Sequence, residues 1–116
     1  MGHAPLTIDR HEVLESFEGD DEMFAELVRL FFEQCPVLRG AIAEAVRRRD
    51  GAALVGPTHT LKGSLGVFLV ESAVTAARNL EQIGRSGDLV GVETAYAALD
   101  IELDRVCTAL AVYLRP

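Results

Sequence analysis

Very little in this chain is aromatic. Five Phe, two Tyr and no Trp among 116 residues leave a core to be built from aliphatic side chains. Cysteine is scarcer still. Cys35 and Cys107 fit no metal-ligand spacing and sit inside helical patterns, so they read as buried, reduced core residues. Positive charge is also short: 11 Lys and Arg against 18 Asp and Glu give a formal net charge of -7. That balance argues against nucleic acid and against an anionic membrane surface as partners. No apolar run approaches the roughly 18–20 residues of a spanning helix. The opening Met1-Gly2-His3-Ala4-Pro5-Leu6 has no basic region leading into a long apolar stretch, as an export signal would. These absences together predict a cytoplasmic protein. No two histidines have zinc spacing, and the stretch from Gly51 to Gly56 lacks a phosphate-loop pattern. Without a nucleotide-binding motif, the chain is not expected to phosphorylate itself from ATP.

What the sequence does have is helical periodicity, with no alternating strand pattern anywhere. In residues 89–114, Leu89, Val92, Tyr96, Leu99, Leu103, Val106, Leu110 and Tyr113 step by three and four without a break, the stripe of a bundle helix. Asp88 stands ready to cap it. A second long helix is predicted over residues 21–49, capped by Asp20 or Asp21 and striped by Phe24, Leu27, Phe31, Leu38, Ile42 and Val46. Pro36 lies inside it and should bend it. Arg47, Arg48 and Arg49 balance its terminal dipole, and Asp50-Gly51 stops it. A third helix runs from about Ala52 to Leu69, and a fourth from about Glu71 to Arg85, with Gly84 and Ser86-Gly87-Asp88 turning the chain. A short helix between Thr7 and Phe17, capped by Thr7 or Asp9 and anchored by Leu14 and Phe17, precedes them. The expectation is an all-α fold: an antiparallel four-helix bundle with a short additional N-terminal helix. Residues 1–19 form the N-terminal segment and residues 20–116 the bundle.

One string departs from plain amphipathic helix: His59-Thr60-Leu61-Lys62-Gly63-Ser64. If Leu61, Leu65 and Phe68 face inward, His59 lies on the opposite side with Val55, Lys62, Gly63, Gly66 and Val67. Two glycines on an exposed helix face each cost about 1 kcal/mol relative to alanine. Local folding does not explain them, whereas a surface that lets another protein's active site come close to His59 does. Neutral imidazole is a competent nucleophile. A phosphoryl group on it would bring about two negative charges to the helix, and Lys62, one turn away, would offset them. The remaining candidates read as structural. His3 and His11 have no partner at useful spacing, and Ser64 suits a bond to the preceding turn.

The string His59 to Ser64 resembles the signature of histidine-containing phosphotransfer (HPt) domains. The likeness extends over about residues 20–114: an acidic start, a long helix with an internal proline, the Arg47-Arg48-Arg49-Asp50 stop, and the run from Asn79 to Asp88. The resemblance implies that His59 is the phosphoacceptor, through Nε2, that Lys62 is its charge partner and that Gly63 keeps the site open. It implies a relay intermediate that takes a phosphoryl group from a receiver-domain aspartyl-phosphate or a hybrid histidine kinase and passes it to a response-regulator receiver. The chain would need no cofactor of its own, Mg²⁺ being supplied by the receiver. Three positions depart from the family pattern. Val67 replaces a usual polar residue, Leu69 a usual glycine, and Pro57 a usual helix former; Gly56 as cap with Pro57 at the first helical position would accommodate the last.

Two further expectations concern geometry. If the motif helix and its successor form an antiparallel hairpin turning near Val70, Glu81 is as far after the turn as His59 is before it. Glu81 could then accept a hydrogen bond from His59 Nδ1 and leave Nε2 free. Val55, Gly66, Val67 and Val70 are the expected partner-binding surface. An apolar patch there could drive weak self-association, although a monomer is expected. The competing function class is a receiver-docking interaction module that binds without phosphorylation.

Overall fold

A computed structural model describes residues 5–16 and 18–114 of the chain. His3 and Phe17 lie outside the described residues. Helix α1 spans Arg10–Glu15, α2 Asp21–Arg47, α3 Gly51–Val67, α4 Glu71–Ser86 and α5 Val92–Ala111, followed by a 3₁₀ turn at Val112–Leu114. Among the described residues there is no strand. Helices α2 to α5 form an antiparallel bundle in which each packs on its chain neighbours and α5 closes back on α2, with α1 laid against α2.

The core is continuous from one end of the bundle to the other. Phe24, Val28, Phe31, Cys35, Ile42 and Ala45 are the buried face of α2, so its inward stripe is rotated from the expected one. Leu27, Leu38 and Val46 are only half-buried at its edges. The core centre is aliphatic, as the composition implies, but the few aromatics gather at one end. Phe24 meets Phe68 and Tyr113 edge-on at centroid separations of 6.1 and 4.8 Å, and Phe31 meets Phe68 at 5.7 Å. Tyr113 also donates its hydroxyl to the carbonyl of Ile8 at 2.6 Å, tying the N-terminal segment to the end of α5.

The helix junctions differ from expectation, each for a local reason. Pro36 leaves α2 a single helix. That helix stops at Arg49, in the left-handed region at φ 52°, before Asp50-Gly51 is reached. Its carbonyls at Val46 and Ala45 then accept from the amides of Arg49 and Asp50, the double bond of a Schellman turn. Asp50 caps α3 instead, accepting from the Ala53 amide at 3.1 Å, and Gly51 is already helical. Pro57 is therefore inside α3 and Gly56 is no cap. Gly56 matters for another reason: the residue before a proline avoids the helical region partly because of its Cβ, which glycine lacks. Asp88 does not cap α5 either. Its carboxylate accepts from the Val90 amide in a turn, and α5 begins after Gly91 without a side-chain cap.

Gly84 is not part of the turn after α4 but sits within it, buried against α3. A Cβ on Gly84 would come within 2.8 Å of the Gly51 carbonyl and 3.0 Å of Leu54 Cβ. Absence of a side chain here sets how closely α3 and α4 approach, and these two helices carry the site described below.

The α3–α4 turn repeats the Schellman pattern. The amides of Leu69 and Val70 bond back to the carbonyls of Gly66 and Leu65 at 3.1 and 3.5 Å. This requires Leu69 at φ 62°, the conformation that suits glycine. A branched side chain there carries a penalty of roughly 1–2 kcal/mol. Since the Leu69 side chain is half exposed and contributes little to the core, Leu69→Gly should raise the unfolding free energy by about 1 kcal/mol. Urea titration checks this, and a lower midpoint would show that Leu69 packing outweighs its backbone strain.

Candidate functional site

His59 stands on the outer side of α3 with 62% of its side chain exposed. Its ring Nδ1 is 3.1 Å from Glu81 Oε2, across the seam between α3 and α4. The antiparallel hairpin turning at Leu69 and Val70 brings the two to one level. Glu81 is not a surface acid: its side chain is 5% exposed. Its Oε1 is 2.8 Å from Lys62 Nζ, and its Oε2 accepts from Arg85 Nη2 at 2.7 Å and Nε at 3.1 Å. Lys62 approaches Oε1 off the direction of a good hydrogen bond, so that oxygen is held chiefly by charge. One carboxylate thus faces two cations and an imidazole.

This surrounding decides its protonation. The Lys62 ammonium, followed by the Arg85 guanidinium and to a smaller extent His59, holds the Glu81 carboxyl down from 4.5 to about 2, although burial pushes the other way. Glu81 is therefore ionised at neutral pH. An ionised carboxylate only accepts, so a hydrogen bond from His59 requires the proton on Nδ1. That tautomer leaves the Nε2 lone pair unprotonated and directed away from Glu81.

Lys62 and Gly63 occupy the positions the spacing implies, one turn beyond His59. Lys62 is partly buried and Gly63 exposed. Gly66 shares the exposed face two turns on, at the edge of a shallow depression with Leu69, Glu71, Thr75 and Arg78. Apart from the flanking residues and the helix's own backbone, no heavy atom lies within 4 Å of a Cβ built on Gly63 or Gly66. Internal packing therefore does not require glycine at either position.

The expected partner surface is only partly assembled. Val70 is 4% exposed and belongs to the core. The Schellman turn carries it inward, where the residue after a left-handed cap meets the last helical turn. Val55 is half-buried against α4, its Cγ2 3.4 Å from where a Gly84 Cβ would be. Val67 turns toward α2, lining a groove with Leu30, Gln34 and Ser64. The apolar patch of Val55, Val67 and Val70 is thus dispersed, and Gly66 alone of the four is openly exposed. Sequence reading missed Arg85 as a site residue. The signal was present in the four-residue spacing of Glu81 and Arg85 on one helix face. Arg47 and Arg49 pair with Glu44 and Glu93, away from His59.

The low-lying Glu81 carboxyl makes stability depend on acid. A carboxylate depressed on folding stabilises the native state above its unfolded value and loses that contribution as pH falls toward the folded one. The window here is from 4.5 down to about 2. Urea unfolding of the native chain and of Glu81→Gln should show a stability gap that is widest near neutrality and narrows steadily below about pH 4.5. A gap that stays constant from neutrality to about pH 3 would mean that the carboxylate charge does not contribute.

The family model for the Hpt domain matches residues 26–109, most of the chain and all of the site. No curated protein and no solved structure matches it. With a helical bundle, an exposed histidine and a family match that runs from α2 into α5, the chain belongs to the Hpt domain family, the histidine phosphotransfer modules of two-component phosphorelays.

Proposed function

We propose that His59 carries the phosphoryl group, accepting it on Nε2 from a receiver-domain aspartyl-phosphate or a histidine kinase and delivering it to a receiver aspartate. The observation that carries this reading is the buried Glu81 carboxylate against Nδ1 of an otherwise exposed ring. In the forward step the Nε2 lone pair attacks phosphorus, the acyl-phosphate P–O bond breaks, and the partner's aspartate leaves as a carboxylate. The imidazole gains positive charge as the N–P bond forms. A fixed carboxylate on Nδ1–H offsets that charge where it develops.

Lys62 and Arg85 have the complementary task. Two cations around one carboxylate leave a positive excess beside His59. The ammonium has three donors, so Lys62 can keep Glu81 and still reach a phosphoryl oxygen. Gly63 and Gly66 keep the approach open. The partner receiver supplies Mg²⁺ and the acidic pocket. The chain acts as a carrier with no ATP site or kinase motif of its own, works in the cytoplasm and functions as a monomer.

Phosphoramidate or acetyl phosphate, with an active receiver domain and Mg²⁺ in a parallel sample, tests the assignment. Intact mass should show one acid-labile, base-stable phosphoryl group on the native chain and none on His59→Gln. No adduct, under conditions that load a control phosphotransfer protein, would favour a docking module that does not take part in transfer. Gly63→Ala separates folding from access. It should gain about 1 kcal/mol of stability from helix propensity and lose about tenfold or more in receiver transfer rate through misplacement of the partner. A stabilised variant that transfers at the native rate would remove Gly63 from the proposed site.

A further inference from the structure

The two cysteines, expected to be buried, reduced core residues, lie on α2 and α5. Helices α2 and α5 run antiparallel, and ion pairs fix their register. Arg49 meets Glu93 at 2.6 Å, and Arg39 meets Asp104 at 3.0 Å and also pairs with Asp100. One turn back from Arg39 along α2 is Cys35, and one turn on from Asp104 along α5 is Cys107. The register therefore sets the two thiols at one level, between α2 and α5. Cys35 is 2% exposed, Cys107 is half-buried, and both are free thiols. Neither belongs to the His59 site, which lies between α3 and α4.

We propose that Cys107 and Cys35 form an oxidisable pair that a hydroperoxide converts into a disulfide joining α2 to α5. The environment makes the two sulfurs unequal. The neighbouring Cys35 thiol and then the Arg39 cation hold the Cys107 thiol down, against burial and the Asp104 carboxylate. Its neighbour Cys107 and its own burial push the Cys35 thiol up. Cys107 is thus the attacking thiolate, with an outlet to solvent, and Cys35 the resolving thiol behind it.

Cys107 Sγ attacks the terminal oxygen of the hydroperoxide, the O–O bond breaks, and the alkoxide leaves as an alcohol after taking a proton. Cys107 becomes a sulfenic acid. Cys35 Sγ then attacks that sulfur, the S–S bond forms, and the hydroxyl departs as water with the Cys35 proton. Two thiols have lost two protons and two electrons, and the peroxide has been reduced to alcohol and water. Such reversible pairs are the usual form of disulfide in a reducing compartment.

The test uses the full chain, reduced and then exposed to hydrogen peroxide, with thiol alkylation and intact mass as readouts. Both alkylation sites should disappear together, with the loss of two hydrogens, no dimer on a non-reducing gel, and recovery by dithiothreitol. The oxidised form should unfold at a higher temperature, because the bond closes the long loop from α2 to α5. In Cys35→Ser, a 1,3-diketone should trap a sulfenic acid on Cys107, whereas in Cys107→Ser the remaining thiol should stay alkylatable. Three results would each overturn the proposal: both thiols stay alkylatable in the native chain, the chains link as disulfide dimers, or Cys107 proceeds to sulfinic acid while Cys35 remains free.

Discussion

A carboxylate held nearly out of water has to be compensated, and Glu81 is compensated from three sides. Burying an unpaired charge costs several kcal/mol even after relaxation. The contacts of Lys62, Arg85 and His59 are therefore constraints on the fold as much as features of a site. They fix the rotation of α3 against α4 and hold the imidazole at one ring nitrogen. They also gather two cations on the carboxylate that faces the imidazole. The proposed chemistry depends on that arrangement, since among the described residues Glu81 makes the one hydrogen bond to the His59 ring.

Backbone packing makes the arrangement possible. Glu81 reaches α3 because Gly51 and Gly84 let the helices close to a distance that a Cβ would forbid. The Schellman turn at Leu69 sets the register of the hairpin, and Asp50 starts α3 in phase with it. Gly63 and Gly66 obey a different logic. They are open on the outside and cost helix stability without easing any internal contact. Two kinds of glycine on one helix pair thus serve two ends, close packing on the inner side and clearance on the outer.

Much of this was legible in the sequence. The three-and-four spacing gave the helices, and the face opposite Leu61 and Leu65 exposed His59. Counting outward from Val70 put Glu81 level with His59. What the periodicity could not give was depth. It marks a face as apolar without saying how far neighbouring helices wrap around it. Glu81 was therefore legible as a partner of His59 but not as a buried carboxylate, and Val70 read as part of a docking patch. The junctions were illegible for a related reason. Arg49 and Leu69 adopt left-handed backbone conformations that their side chains disfavour, held by the Schellman hydrogen bonds that close α2 and α3. Pro57 lies inside α3 because the capping carboxylate of Asp50 starts that helix at Gly51, close to the expected Ala52.

The most direct test of the account is the tautomer of His59. Long-range proton–nitrogen correlation on uniformly ¹⁵N-labelled protein at neutral pH reads which ring nitrogen holds the proton. After phosphorylation, phosphorus–nitrogen coupling reads which nitrogen holds the phosphoryl group. The account expects the proton on Nδ1 in the free chain, facing Glu81, and phosphorus on Nε2 in the loaded one. A ring protonated on Nε2 in the free chain, or phosphorylated on Nδ1, would contradict it.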